Sequence, residues 1–370
     1  MTTDTPYRVL FCDLLTDRPI DVLPLRDVSF DDYIGRSGSL TGTIPVPDAR
    51  IAARARKIVE GRTSVYLERG NDLWWGGIVW TTTPASDDKG VLTLAVQAAT
   101  FDSYAARRRI RTSVVDRGGR DQLQIARILW RLMQQRPSGD IGVVFESYED
   151  SGVEQSVAWW EGDEVTYEEA MHQIAEQGKG FEHHIVVRRD PVTGQRTRLL
   201  RLGSPELDGG PADLVLDRPG TILSYAFPRD ATRGGTHSRA RGGNHSSDPN
   251  GEGRPVSSRE WVAEELIEAG WPQIDLSAEN SSATTRGPLD FLAWKTLQDA
   301  RGAVVIPEVT VRLDGSLPVA PELLSRTVRL RITDEWHPEG LDRRYRVIGI
   351  KVSPPQRGRP ETAELYLEAP

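Results

Sequence analysis

The stretch that decides the fold is RTVRLRITDEWHPEGLDRRYRVIGIKVSPP, residues 326–355. Apolar side chains recur at every second position in two of its segments, Val328–Thr333 and Tyr345–Val352, and again in Glu361–Leu367. A period of two is typical of strands that bury one face. The chain is therefore predicted to end in a small antiparallel sheet. Such a sheet is too small to be stable alone, so it must pair with earlier strands, and the hairpins at 181–227 are the predicted partners.

Composition and charge are those of an ordinary folded protein. The chain has 370 residues, of which 38% are hydrophobic and 27% are charged, and its formal net charge is −8. This length is enough for two to four domains. A general nucleic-acid binder needs a basic excess to neutralise phosphates, so the acidic balance argues against that class.

The cysteine content and the N-terminal sequence bear on the compartment. Cys12 is the single cysteine, which excludes an intrachain disulfide and suits folding in the cytoplasm; it is predicted to be a buried thiol. Residues 1–15 lack the basic and apolar regions of a signal peptide. No apolar run approaches the roughly 18 residues of a membrane span. We therefore predict no signal peptide and no membrane anchor.

The order of apolar patterns and turn residues predicts an α+β, β-dominated fold with two small β-barrel-like domains and α/β helical inserts. The predicted segments are an N-terminal β-barrel-like domain (1–100), an α/β helical insert (101–178), the first part of a second β-barrel-like domain (179–228), a flexible Gly/Ser/Arg-rich loop (229–256), a helical insert (257–302) and the closing strands of the second domain (303–370).

Capping signals predict where the helices begin. Asp121 precedes the amphipathic run QLQIARILWRLMQQ. Thr166 with Glu169, and Ser257 with Glu260, have the spacing of capping boxes. A further helix, LDFLAWKTLQDARG, is predicted to end at Gly302.

The sequence contains no pattern that predicts catalysis or metal binding. The motifs of a P-loop, of HExxH and GxSxG hydrolases and of a Rossmann turn are absent. His183 and His184 are adjacent in a predicted strand and point to opposite faces, so a shared metal site with His172 is not favoured. We predict no catalytic residue, no cofactor and no metal.

Tryptophans and one arginine cluster are the candidate interface residues. Adjacent tryptophans in a strand place one ring on each face, and the ring outside the core needs a cover, which a neighbouring subunit could supply. The arginine cluster is explained either as a solvated, salt-bridged face or as a contact for an acidic partner or DNA. The candidates are Trp74, Trp75, Trp80, Trp159, Trp160, Arg107, Arg108 and Arg109.

Six stretches carry a family resemblance: YRVLFCDLLTDRPIDVLPL (7–25), SVYLERGNDLWWGGIVWTT (64–82), GWPQIDL (270–276), LDFLAWKTLQDARG (289–302), VTVRLDGSLPVAP (309–321) and the C-terminal stretch quoted above. Together they resemble the hub (baseplate) proteins at the tips of phage and prophage tails, namely minor tail proteins of the actinobacteriophage type. Residues 229–256 are poorly matched to this pattern.

The resemblance implies a baseplate-hub-like fold and a structural role rather than enzymatic activity. Three chains, each with two barrel-like domains, would form a homotrimer whose six-barrel ring matches the hexameric tail tube. The implied partners are distal tail or tail-tube proteins, tip fibre or spike proteins, and DNA that passes through the ring without sequence-specific binding. The implied location is the tail tip of the virion, assembled in the cytoplasm of the host bacterium.

Three alternatives stay open at this point. The first is the same hub in a phage-derived contractile injection particle. The second is a tail-associated peptidoglycan hydrolase, which would need two carboxyl groups across a cleft. The third is a carbohydrate-binding receptor module that uses exposed tryptophans.

Overall fold

The fold is described from a computed structural model of the chain. The structure describes residues 7–147, 149–176, 180–210, 213–245, 254–280, 283, 285–302, 304–305, 307–313, 323–355 and 360–369. The chain divides into two units. Unit 1 comprises Met1–Ala175, Gly180–Tyr225 and Glu308–Pro370, and unit 2 comprises Glu176–Lys179 and Ala226–Pro307.

Strands dominate unit 1. The chain begins with β1 (Tyr7–Asp13), β2 (Pro19–Val22), β3 (Arg26–Tyr33), β4 (Ser39–Val46), α1 (Ala49–Ala55), β5 (Thr63–Arg69), β6 (Asp72–Ser86), β7 (Leu92–Thr100), β8 (Val114–Asp121), α2 (Gln122–Gln134), β9 (Val143–Phe145), β10 (Glu154–Trp159) and α3 (Tyr167–Ala175). It continues with β11 (Glu182–Arg189), β12 (Arg196–Gly203), β13 (Leu214–Arg218) and β14 (Ile222–Ala226). Two short 3-10 helices cover Phe101–Arg107 and Glu161–Asp163.

Unit 2 follows before the chain returns to unit 1. Its elements are β15 (Arg229–Asp230), β16 (His237–His245), β17 (Arg254–Ser257), β18 (Trp261–Val262), α4 (Glu264–Glu268), β19 (Asp275–Asn280), α5 (Arg286–Asp299) and β20 (Val304–Val305). The returning strands are β21 (Glu308–Arg312), β22 (Thr327–Ile332), β23 (Leu341–Ser353) and β24 (Thr362–Glu368).

Among the described residues, thirteen strands of unit 1 belong to one continuous sheet. Its order is β14-β21-β24-β23-β3-β4-β7-β6-β5-β1-β2, with β22 beside β23 and β13 beside β22. The first half of β23 pairs with β22, and its second half lies between β24 and β3. Because Ile350 of β23 pairs with Asp32 of β3, the sheet joins the first strands of the chain to the last.

Gly349 permits the close approach of β23 to its neighbours. The rings of Tyr33 on β3 and Tyr366 on β24 lie 5.7 Å apart by their centroids. A Cβ atom at Gly349 would lie 2.4 Å from the Tyr33 ring. Only glycine fits under these two rings without displacing them, which is a common reason for glycine inside a strand.

Arg346 of β23 links this sheet to β11. The side chain is 4% exposed and contacts three carboxylates. Its guanidinium reaches Glu182 of β11 at 2.7 Å, Glu368 of β24 at 2.6 Å and Glu206 at 3.5 Å. A buried guanidinium is stable when several acceptors satisfy its donors, and here they hold three chain segments together.

The helix starts in unit 1 follow the capping signals. Asp121 Oδ1 accepts a hydrogen bond from the backbone N–H of Leu123 at 2.8 Å, at the start of α2. Thr166 and Glu169 form the reciprocal pair of a capping box before α3, at 2.7 and 3.1 Å. The predicted starts of both helices are therefore confirmed, since each cap needs only residues within one helical turn.

The prediction that the two β domains close into barrels is wrong. No sheet formed by the described residues closes into a barrel, and the two predicted barrels share one sheet through the pairing of β23 with β3. Sequence reasoning missed β3, whose sequence RDVSFDDY is too polar to resemble a buried strand. β8 and β10, which ends at Trp159, were also missed.

The predicted pairing of the C-terminal strands with residues 181–227 is correct only in part. β13 pairs with β22 in parallel, and β14 neighbours β21. The hairpin β11–β12 instead pairs within itself and, through β12, with β9. An alternating apolar pattern shows which face of a strand is buried, but not which strand pairs with its edge. The pairing partners therefore could not be predicted from these patterns.

Unit 2 is a small sheet covered by one helix. β16 pairs with β17 and β18 antiparallel and with β19 in parallel. The helix predicted at 289–302 is present as α5, which runs over Arg286–Asp299 and buries Leu289 and Ala293 in a core with Ala240 and Ala283. Within the loop predicted for 229–256 the sequence allows a short strand around Ser238–Arg241; the structure has the longer central strand His237–His245 there, whereas 246–253 lie outside the described residues.

The helix predicted to start after Ser257 is also shorter than expected. Residues up to Ser257 form β17, Trp261 and Val262 pair with β16, and only Glu264–Glu268 are helical. The Ser258 hydroxyl accepts the backbone N–H of Ala240 at 2.8 Å. The residues that the local capping signal assigned to a helix thus pair with β16 instead, because tertiary contacts outweigh local helix propensity.

We predict that Ile350→Ala destabilises unit 1 by about 2–5 kcal/mol, the usual cost of truncating a buried Ile. Ile350 is 1% exposed and lies in the half of β23 that has strands on both sides. The measurement is urea unfolding followed by tryptophan fluorescence. Arg343→Ala in the exposed part of the same strand is the control and should change stability by less than about 0.5 kcal/mol. Equal effects of the two substitutions would contradict the central position of β23.

Candidate functional site

The paired tryptophans Trp74 and Trp75 are both buried by residues of their own chain. Trp74 is 9% exposed; its ring packs edge-on against Tyr7 at 5.3 Å, and the guanidinium of Arg69 lies 4.7 Å from it. Trp75 is 1% exposed, and its Nε1 donates to the carbonyl of Asp31 at 2.9 Å. The cover that the sequence suggested a neighbouring subunit would supply therefore comes from β1, β3 and β5.

The second tryptophan pair divides between the interior and the surface. Trp159 is 4% exposed, and its Nε1 donates to Gln173 Oε1 at 2.7 Å. Trp160 is 53% exposed. In a strand, adjacent side chains alternate between faces, so only Trp160 presents its ring outward. Of the predicted tryptophan candidates, Trp160 offers the largest open surface, since Trp80 is half-buried and donates to Ser103 Oγ at 2.9 Å.

The arginine cluster is a partly neutralised basic patch. Arg107 is exposed and lies 5.6 Å from the Trp80 ring, and Arg108 donates to the Tyr104 hydroxyl at 2.7 Å. Arg109 and Arg111 share a single carboxylate, that of Glu164. Intrachain salt bridges, one of the two predicted explanations, therefore account for part of this cluster. Within the described residues Glu164 is the one carboxylate in ion-pair contact with these four arginines, so the exposed guanidinium of Arg107 faces solvent without an ion pair.

A buried cluster of ionisable groups lies where β3, β11 and the 3-10 helix after β7 meet. His184 Nε2 is 2.9 Å from Asp32 Oδ2, and His184 is 3% exposed. Burial alone lowers the pKa of His184, but the attraction and the hydrogen bond of Asp32 outweigh it and raise that pKa above its usual value. The histidine is thus held as a partner of the Asp32 carboxylate rather than as a free ring.

Burial shifts the pKa values of two neighbouring groups in this cluster toward their uncharged forms. Burial, together with the charges of His172 and His184, lowers the pKa of His183 to about 4. Burial raises the pKa of Asp102 to about 6. Removing a charge from water favours the uncharged form of either kind of group, which gives the opposite signs of the two shifts.

A small pocket borders this cluster. Its lining includes Asp102, Trp130, Glu168, His172 and His183. The Oδ1 atom of Asp102 and the Nε1 atom of Trp130 are buried and have no hydrogen-bond partner among the described residues.

The structure does not bring the histidines together as metal ligands. Within the described residues, no group of three His, Cys, Asp or Glu side chains has the arrangement to hold a metal ion. Cys12 is a buried free thiol, as predicted, and burial raises its pKa to about 11. No helix in the described part of the chain is long and apolar enough to cross a membrane.

Three exposed aromatic residues were missed by sequence reasoning. Trp336 is 80% exposed in the turn between β22 and β23, and Phe291 and Trp294 are 37% and 39% exposed on α5. The signal for Trp336 was present in the sequence, because it stands among polar turn residues in TDEWHPEG. Phe291 and Trp294 carried no such signal, because their helix is apolar on several sides and its inner face is set only by packing.

We predict that the stability difference between the wild type and His184→Gln is larger near about pH 6 than near about pH 9. The pKa of folded His184 lies above 6.5, so the stability from its pairing with Asp32 is complete below pH 6.5 and is lost as the pH rises through the folded-state pKa. Urea unfolding at both pH values measures the difference. His172→Gln, at an exposed histidine that borders the same pocket, is the control. A difference that does not change with pH would contradict a charged His184–Asp32 pair.

The fold is similar to solved structures of tail proteins, whereas no protein-family model and no curated protein matches the sequence. The 43 kDa tail protein of prophage MuSo2 from Shewanella oneidensis is 12% identical, with a TM-score of 0.61 over 98% of each chain. The tail protein from Neisseria meningitidis MC58 is 14% identical, with a TM-score of 0.62 over 98% of this chain and 96% of that chain. The prophage tail protein gp18 from Listeria monocytogenes EGD-e is 13% identical, with a TM-score of 0.55 over 97% and 94%. At these identities the likeness is one of fold, and this chain has the fold of phage tail proteins over nearly its whole length.

Proposed function

We propose that this chain is a structural protein of a phage-type tail, and specifically the hub at the tail tip. The observation that carries the proposal is the extent of the fold likeness, which covers 98% of this chain and 98% of the Shewanella tail protein. A partial match would leave room for an added catalytic domain within the chain. A match of both units over nearly full length favours a shared structural role.

In the proposed assembly three copies form a ring around the channel through which DNA leaves the virion. The ring joins the tail tube above to fibre or spike proteins below. It is assembled in the cytoplasm of the host bacterium and stays in the virion. The actinobacteriophage type of tail is proposed from sequence resemblance in residues 7–25, 64–82 and 270–276.

The physical features of the chain suit such a role. Its buried ionisable groups serve packing contacts, as Arg346 does with Glu182, Glu206 and Glu368. Its exposed aromatic side chains, Trp160 and Trp336, are the kind of group that is enriched at protein interfaces. The net charge of −8 suits a ring that lets DNA pass without holding it, because like charges repel.

We predict that the purified full-length chain forms a homotrimer at micromolar concentration. Mass photometry should give a species of three times the 41.1 kDa chain mass, and negative-stain electron microscopy should show a ring. The same sample incubated on bacterial cell walls in a zymogram provides the control against the hydrolase alternative. A chain that stays monomeric at all concentrations, or that clears the cell walls, would contradict the proposal.

We also predict that the channel of the assembled ring is lined by acidic side chains. An acidic lining would repel the DNA backbone during passage. A basic lining would instead bind the DNA, and its affinity would increase at low salt. An electron microscopy map of the ring, with side chains assigned, decides the sign of the lining. A channel lined by arginines would contradict this expectation while leaving the trimer intact.

A further inference from the structure

The turn between β22 and β23 presents the most exposed tryptophan of the described residues. It comprises residues 333–340, TDEWHPEG, and is called the Trp336 loop below. Trp336 is 80% exposed, although an indole of this size usually gains free energy from being covered. β23 is 13 residues long, so the loop lies at the tip of a hairpin whose longer strand spans roughly 40 Å at the usual rise per residue.

The Trp336 loop is held in place by side chains beneath it. Asp334 Oδ1 accepts the backbone N–H groups of Trp336 and His337, each at 3.0 Å. Asp334 Oδ2 accepts the hydroxyl of Tyr225 at 2.7 Å, and Arg218 lies 3.7 Å from the same oxygen. A loop ordered in this way loses little conformational freedom when it binds, which is the property of a pre-organised binding element.

The Trp336 loop is acidic on its outer side. Residues 333–340 contain Asp334, Glu335 and Glu339 and no Lys or Arg. Asp334 is used to order the backbone, whereas Glu335 and Glu339 are exposed beside Trp336. The surface that receives this loop should therefore combine an aromatic or apolar contact for the indole with basic groups for the two glutamates.

The chain carries such a surface on the same unit. Among the described residues, Arg107, Arg108, Arg109 and Arg111 have Glu164 as their one ion-pair partner. Trp160 lies beside them, because the next residue, Glu161, donates its backbone N–H to Ser113 Oγ at 3.1 Å, two positions from Arg111. We call this surface, comprising Arg107, Arg109, Arg111 and Trp160, the Arg–Trp patch.

We infer that the Trp336 loop of one copy binds the Arg–Trp patch of a second copy. Opposite charges meet in this contact, and it covers the exposed indoles of Trp160 and Trp336. The two surfaces differ, so the contact is head-to-tail, and a head-to-tail contact between identical chains builds a ring when its rotation closes. The inference rests on the proposed function only for the number of copies in that ring.

The first test truncates the indole. Trp336→Ala should weaken the homotrimer by about 30-fold or more in dissociation constant, as expected for a central tryptophan of an interface. The side chain is exposed, so its removal leaves the fold intact, which circular dichroism checks. Val192→Ala, at a side chain 91% exposed in the turn between β11 and β12, is the matched control and should leave the trimer unchanged. Mass photometry over a dilution series measures both.

The second test reverses the charges. Glu335→Lys with Glu339→Lys should break the trimer into monomers at concentrations where the wild type is trimeric. Arg107→Glu with Arg111→Glu should do the same, while Arg109 stays to pair with Glu164. Combining all four substitutions in one chain should restore the trimer, because every contact then has complementary charges again. Asp87→Lys with Asp88→Lys, in the turn between β6 and β7, is the control for a change of net charge.

The outcomes separate this inference from the proposed function. A wild-type trimer that survives Trp336→Ala and both charge reversals overturns the inference and leaves the tail hub in place. A wild-type chain that is monomeric at every concentration overturns both. Loss of the trimer on each reversal without recovery in the fourfold variant also overturns the inference, since the two surfaces would then act on different partners.

Discussion

The architecture of unit 1 depends on the hydrogen-bonding demand of β23. A long strand carries N–H and C=O groups along both edges, and groups that are buried without partners are costly. β22 pairs with one edge of the first half of β23, and β24 and β3 pair with the two edges of its second half. Since β3 comes from the beginning of the chain, this requirement connects residues from opposite ends of the sequence. The predicted pair of separate barrels is replaced by one extended sheet for that reason.

The same pairing places the buried polar groups. Asp32 lies on β3, where its backbone pairs with Ile350 and its carboxylate meets His184. A shift of the strand by one residue would turn Asp32 to the opposite face and leave the histidine without its partner. Arg346 acts in a similar way between β23 and β11, with Glu182 as its acceptor. Charged pairs in the core therefore favour one register of strands whose apolar patterns alone would tolerate others.

The tryptophans named above fall into two groups, one buried in the interior and one exposed on the surface. Trp74, Trp75 and Trp159 are covered by side chains of their own chain, and they belong to the interior of the unit. Trp160 and Trp336 remain exposed, one beside a cluster of arginines and the other on an ordered acidic loop. An exposed indole on a rigid support gains most from an interface, because it adds apolar contact at little entropic cost. These two residues, rather than the tryptophan pair in β6, carry the contacts that we infer for the proposed ring.

The sequence by itself determined those features that depend on neighbours in the chain. The capping box at Thr166 and Glu169, the cap at Asp121, the hairpin at 182–203 and the alternating strands at the C-terminus all follow from spacings of two to four residues. The tail-protein type of fold was also recognisable from quoted stretches of the chain. Only the tertiary structure decided that β3 pairs with β23, that β16 is a long central strand, and that Trp74 and Trp75 are both buried. The physical reason is that the partner along a strand edge, and the cover over an aromatic ring, come largely from residues tens to hundreds of positions away, about which a local pattern carries no information.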